Sequence, residues 1–367
     1  MKKIVTILLA AIATTLSAKD KETINITPVT QDADAANGGV IYSLPKTMLR
    51  IKVDAEVTIR KAGPYYRYSN KFLNLNNVIT EDSKTWEIKK VSIESFGVAD
   101  KNRTYKISGT NIPALKFNSL GVIEGINITS QRAKKHIKQQ QSDTELPELN
   151  FDNVRLGRNV LTKTSTAAMA EEAALSIYRL RDKRISLLGG EEATILNDEG
   201  SYNKVFSEID SMEKEYLSLF VGKELKVTVT KYYEIEPGAT SLTNTVLFRF
   251  SETDGFLDAM DIIGKPVYID IDYSNAYKIN AYSDDSKQRK QNPITGFRYI
   301  LPGTINVKII DRNILLTETN IQCSQNGKEA TLPLEIINNK YSIKFNPTNG
   351  ALIEIKENNN EINNGKK

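Results

Sequence analysis

Between Met48 and Arg60 the side chains alternate without a break. Leu49, Ile51, Val53, Ala55, Val57 and Ile59 fall on one parity; Arg50, Lys52, Asp54, Glu56, Thr58 and Arg60 fall on the other. A period of two marks an extended strand with one dry face and one wet face. At ~3.3 Å per residue such a run reaches roughly 40 Å, so it is expected to bend or to serve two sheets. A second run, "TWEIKKVSIESFGV", puts Trp86 and Ile88 on even positions and Val91 and Ile93 on odd ones. The parity change at Lys89-Lys90 predicts a β-bulge. "TYKISG" and "ALKFNSLGVIEGI" add three short strands, the last two joined as a hairpin.

Gly63-Pro64 ends the first run, and the burst "PYYRYSNKF" follows. Tyr65, Tyr68 and Phe72 sit at i, i+3 and i+7, one stripe of a short helix, which reads as packing; Tyr66 points elsewhere. Residues 39–126 thus form a β-rich region with an inserted short helix. Residues 127–160, with a Gln run and a small basic cluster, read as a polar linker or loop.

The period then changes. Met169, Ala173, Ile177 and Leu180 make one helical stripe, ended by Gly189-Gly190; Val205, Ile209, Met212 and Tyr216 make another, with Ser201 as its expected cap and Gly222 after it. Residues 161–222 are therefore a helical hairpin. From Glu224 the two-residue period returns in eight candidate strands, giving a second β-rich region over 223–356. The tail 357–367, "ENNNEINNGKK" in the main, is disordered by composition. The fold class is α+β, mainly antiparallel β, with two sandwich- or barrel-like β regions flanking a helical hairpin.

The second β region reads as a diverged repeat of the first. "GVIYSLPKT" at Gly39–Thr47 and "GFRYILPGT" at Gly296–Thr304 share G-x-x-Y-x-L-P-x-T. "KFNSLGVIEGI" at Lys116 and "KFNPTNGALIEI" at Lys344 follow in the same order. Collinearity of two weak matches carries more weight than either alone.

The N-terminus has the parts of an export signal over residues 1–18: Lys2 and Lys3, an apolar core from Ile4 to Leu16, and Ser17-Ala18 at the exit. That apolar run is too short for a stable membrane span, and no cysteine lies near the cut for lipid attachment. The expectation is an exported protein of the periplasm, cell surface or medium, with a flexible segment over 19–38 and no transmembrane segment after cleavage. The formal net charge of +4, acids and bases mixed, gives no reason to expect nucleic acid.

One histidine and one cysteine sharply limit the chemistry. A zinc site of nitrogen and sulfur ligands cannot be assembled within one chain, an internal disulfide is excluded, and no nucleophile motif serves His136 as a base. Cys323 shares strand parity with Ile321 and reads as a small buried hydrophobe. No cofactor, metal or catalytic residue is assigned. "DADAANG" lacks the ligand pattern of a calcium loop, and Asp258 and Asp261 offer only unspecific spacing. Asp270 and Asp272 share one strand face, as a glycosidase carboxylate pair can, but Val267, Ile269 and Ile271 fill the other, so they read as its wet side. Tyr66, Trp86, Tyr232 and Tyr233 are the candidate ligand-binding residues, with Tyr42 a further aromatic able to stack on sugar if several share a groove.

The stretches "IYSLPKTMLR", "RKAGPYYRYSNKFLNLNNVITEDSKTWEI", "RDKRISLLGG" and "EKEYLSLFVGK" resemble a family of exported bacterial proteins, domain of unknown function 4831, typified by Bacteroides-type gut bacteria. The resemblance covers most of the chain and implies an envelope or secreted location in a Gram-negative cell; it supplies no catalytic residues. The leading expectation is a non-catalytic binding or scaffold module of the envelope, its partner unassigned, with a glycan or another envelope protein as the candidates. Its alternatives are a glycan-binding protein and, behind that, a carboxylate-dependent glycosidase.

Overall fold

The computed structural model describes residues 24–29, 38–128, 145–189, 199–238, 240–273 and 296–358. The export signal, His136 and the tail from 359 onward lie outside the described residues. In chain order the elements are β1 (Asn25–Pro28), β2 (Val40–Lys61), α1 (Ser69–Leu73), β3 (Ser83–Ser108), β4 (Leu115–Phe117), β5 (Ile123–Ile126), α2 (Arg158–Leu161), α3 (Thr166–Leu188) and α4 (Glu199–Val221). They continue with β6 (Lys223–Ile235), β7 (Leu242–Ser251), β8 (Gly255–Leu257), β9 (Lys265–Asp272), β10 (Gly296–Asp311), β11 (Ile314–Pro333), β12 (Tyr341–Phe345) and β13 (Leu352–Glu357).

Three antiparallel sheets result, in the orders β1-β3-β2-β6, β11-β10-β9-β7-β8 and β13-β12-β5-β4. The first two face each other across a core of Leu49, Ile51, Val53, Ala55 and Val57 from β2 against Phe248, Ile269, Val307 and Ile309 from β7, β9 and β10. This is the dry parity of the opening run. The same strand continues into a second core, where Tyr42 and Leu44 meet Ile126, Phe297, Ile343 and Phe345. β2 therefore serves two cores, as its length predicts. The bulge sits where the parity changes: Asp54 pairs with Lys90 and Ala55 with Ile88, leaving Lys89 extruded.

The α+β, mainly antiparallel fold matches the sequence pattern, but the two β regions are not separate units. β6 of the second region pairs with β2 of the first along Leu49–Lys61, and β12 pairs with β5. Two further expectations change. Within the segment read as flexible, Asn25–Pro28 is a strand paired to Tyr105–Ser108. Within the 127–160 linker, Val154 and Val160 are buried against the helical hairpin, and the Tyr216 hydroxyl accepts from the Gly157 N–H at 2.7 Å. Tyr65 is buried in that helical core, with Tyr68 and Phe72 packed on it, so the aromatic stripe is packing. Ser165 caps α3 through the Ala168 N–H, whereas Ser201 lies inside α4 rather than at its start.

The duplicated motifs fold alike. On β2 the pairing steps from Ser43–Thr104 to Pro45–Ala99; on β10 it steps from Leu301–Lys328 to Gly303–Cys323. In each, one motif residue (Leu44, Pro302) opposes an extruded loop, residues 100–103 and 324–327. The hairpins that follow also agree. Phe117 pairs with Ile123 and Leu115 with Ile126 around a bulge; Phe345 pairs with Leu352 and Ile343 with Ile355 around the same bulge. The Asn118 N–H donates to the Val122 carbonyl, and the Asn346 N–H to that of Ala351. The Asn118 carboxamide oxygen accepts from the Leu120 N–H as that of Asn346 accepts from the Thr348 N–H.

Candidate interaction surface

The aromatic candidates do not gather in one groove. Trp86 is 8% exposed and Tyr233 half-buried in the sandwich core. Tyr233 stacks on Phe248 at 4.7 Å, and Phe256 links Phe248 to the Trp86 indole. Burial pushes the Tyr233 hydroxyl well above the usual phenol range, with the Asp258 carboxylate adding to it. Tyr232 is on the opposite face of β6, opposite Lys52. Tyr66 lies by the helical core, its hydroxyl accepting from Arg67 Nε at 3.0 Å. Tyr42 is buried and stacked on Phe297 at 4.3 Å. The structure thus joins Trp86 and Tyr233 inside the fold and leaves Tyr66 and Tyr232 apart.

The polar candidates are likewise engaged. Asp270 and Asp272 alternate with buried Ile269 and Ile271 on β9, and Asp270 accepts from the Asn244 N–H at 2.7 Å. Cys323 is buried, as its parity predicts, and burial raises its thiol pKa. Its neighbour Ser324 joins a buried network in which the Thr47 N–H donates to Ser324 Oγ at 2.9 Å and the Ser324 N–H donates to Thr47 Oγ1 at 3.0 Å. Among the described residues no cluster of three or more His, Cys, Asp or Glu side chains could hold a metal ion.

What stands out is the loop between β8 and β9, "DAMDIIG" at residues 258–264. Met260, Ile262 and Ile263 are 94%, 92% and 76% exposed. The backbone beneath them is fixed. Arg249 on β7 donates from Nε to the Ala259 carbonyl at 3.1 Å and from Nη1 to the Gly264 carbonyl at 2.9 Å, tying both ends of the loop. The Asp261 N–H donates to the Asp258 carbonyl, and the Asp261 carboxylate accepts from the Ile263 N–H. Asp258 and Asp261, read as weak calcium candidates, thus shape a turn. Gly264 closes it where a Cβ would press into Leu257, Arg249 and the Phe250 backbone. At the other end Gly255, at φ +80°, lies flat on the Trp86 indole. The aromatic core thus packs against β8, the strand that leads into the loop.

Sequence reasoning passed over Met260, Ile262 and Ile263. A loop with large apolar residues at three of seven positions, closed by Gly264, is a usable signal, but the Arg249 clamp is not visible from sequence.

A family model for a domain of unknown function (DUF4831) matches residues 38–353. The chain belongs to this family. The match spans both β regions and the helical hairpin. No curated protein and no solved structure matches the chain. Among the described residues no helix is long and apolar enough to cross a membrane.

Proposed function

We propose that the chain is an exported, non-catalytic binding or scaffold module whose working surface is the loop at residues 258–264. The observation that carries the proposal is the pairing of a backbone pinned by Arg249 with three large apolar side chains left in water. Single exposed apolar residues are ordinary, but a clustered display marks an interaction site. Burying each such side chain is worth about 1.5–3 kcal/mol, and a loop already fixed loses little entropy on docking. The loop carries Asp258 and Asp261 and neither Lys nor Arg, so an anionic lipid surface repels it. A protein socket with an apolar floor and a basic rim fits both features. The N-terminal signal pattern supports export, which places that partner in the envelope or beyond.

The test is a photo-crosslinking residue at position 260 in the full-length protein within the producing cell. The expected result is one adduct that disappears when Ile262 and Ile263 are changed to Asp, with the melting curve unchanged. Equal adducts from an exposed control position such as Lys226 overturn the proposal. Titration calorimetry against a broad glycan panel separates the alternative: heat that survives the loop substitutions transfers the function to sugar binding elsewhere.

A further inference from the structure

The two hairpins built by the duplicated motifs differ most in what covers them. β12 lies along β5, with Ile343 opposite Ile126 and Lys344 opposite Gly125. The turn between β12 and β13 extends this joint over the first motif, Pro347 passing over Gly97 and Gly350 touching Pro45. Beneath the joint Leu44, Val122 and Ile126 are 1%, 0% and 0% exposed. By the shared motif the counterpart of Leu44 is Leu301, and by hairpin register those of Val122 and Ile126 are Ala351 and Ile355. There Leu301 is 46% and Ile355 40% exposed, with Ile353 beside them at 54%. β13 is an edge strand, and a cavity of about 280 Å³ opens beside it, lined by Leu301, Pro302, Gln322, Asn326, Lys328 and Ala351. Gln322 is the counterpart of Gly97, so the cavity is the second copy's version of the place the β12–β13 turn fills in the first.

The opposite end of that sheet is also an edge among the described residues. β4 is its other edge, and Leu115 and Phe117 are half-buried, whereas their counterparts Ile343 and Phe345 are 0% and 2% exposed. Among the described residues neither edge has a strand neighbour, so one molecule carries both halves of its own internal joint at opposite edges of one sheet.

We infer that β13 of one molecule receives β4 of a second copy, head to tail, in the manner in which β5 receives β12 within the chain. The cavity beside Leu301 then receives the second copy's β4–β5 turn. An edge strand with free backbone donors and acceptors templates such pairing, and an interface joining two different surfaces of one protein propagates rather than closing on itself. The joint is not copied residue for residue. Gly125, where a Cβ would meet the Ile343 carbonyl at 2.4 Å, is replaced by Glu354. Asn127, whose side chain donates to the Asn338 and Tyr341 carbonyls, is replaced by Lys356. The incoming strand therefore stands further out at Glu354 and pairs over Ile355–Glu357, backbone that extends beyond the counterpart of β5. The charges Glu354, Lys356 and Glu357 restrain edge pairing, so the association is weak and rises with concentration. This inference is independent of the loop at 258–264.

The test mixes two full-length variants, Ile355→Cys and Leu115→Cys, with a short bis-maleimide. Cys323 is buried and single, so wild type sets the background. The expected result is a heterodimer in the mixture that increases with protein concentration, no dimer from either variant alone, and a ladder from the double variant. Both positions are partly exposed; a wild-type melting curve verifies folding, and Glu357→Cys with Leu115→Cys is the second pair. No heterodimer from either pair overturns the inference. So does self-crosslinking of Ile355→Cys alone, which signals a two-fold β13–β13 contact instead.

Discussion

Leu44 and Leu301 occupy the same place in two hairpins that share a register step, a bulge and an asparagine turn, yet one is sealed and the other stands 46% exposed. Local sequence does not set that difference. Each leucine precedes a proline in the same nine-residue motif. What differs is the neighbour each has among the described residues: the first hairpin has another lying on it, and the second ends in the edge strand β13. A repeat at the edge of a sheet inherits an interface designed to be covered, and natural repeat arrays mask such ends with polar caps. Here Leu301, Ile353 and Ile355 remain apolar and in water.

The largest effect expected from this comparison is in the leucines themselves. Leu44→Ala leaves a cavity in a closed core and should cost about 2–5 kcal/mol, whereas Leu301→Ala should stay within about 0.5 kcal/mol. Urea midpoints of the two variants check this, and equal losses would erase the distinction between a closed and an open copy. The glycine of the closed joint comes next. Gly125→Ala drives a Cβ against the Ile343 carbonyl and should cost about 1–3 kcal/mol, the range for overpacking. Glu354→Ala, at the matching open position, should leave the midpoint where it is.

The smallest effect is electrostatic. Burial pushes the Tyr42 hydroxyl well above the usual phenol range. The folded state therefore holds that proton more tightly than the unfolded chain, whose tyrosines titrate near pH ~10. Below that pH the stability is full; above it the unfolded state sheds protons first and stability declines. Tyr42→Phe should flatten the decline between neutral and strongly alkaline pH. It also loses the hydrogen bond accepted from the Arg298 N–H at 2.9 Å, about 0.5–1.5 kcal/mol at neutral pH. Urea midpoints across that pH range separate the two contributions.

How far the fold could be read from residues follows the range of each interaction. The alternation at Leu49–Ile59, the extruded Lys89 and the Tyr65 stripe are local, and period alone located them. The paired motifs around Pro45 and Pro302 were legible as a repeat because each encodes its own bend. Strand partnership was not: nothing near Leu225 announces that β6 lies beside Ile59, and an antiparallel pairing across so long a stretch depends on the whole core. Asn25–Pro28 escaped because its apolar face is only Ile24 and Ile26, too short a run to show a period before the proline. At the candidate surface, Met260, Ile262 and Ile263 were in view as an apolar loop, but their significance rests on Arg249, whose two hydrogen bonds form only once β7 and β9 are side by side. Trp86 and Tyr233 looked like ligand platforms for the opposite reason. Their chemistry suits stacking, and only packing reveals that Tyr233 stacks on Phe248 and that Trp86 meets Phe256 edge-on.

The central claim is that both β regions form one interlocked structure through β6 on β2 and β12 on β5. The chain carries its own two reporters, a single tryptophan, Trp86, in the first region and a single cysteine, Cys323, in the second, both buried. Urea unfolding followed by Trp86 fluorescence and by Cys323 thiol labelling should give superimposable transitions with one midpoint, as a cooperative unit requires. Two separated midpoints, with one reporter released while the other stays protected, would contradict it.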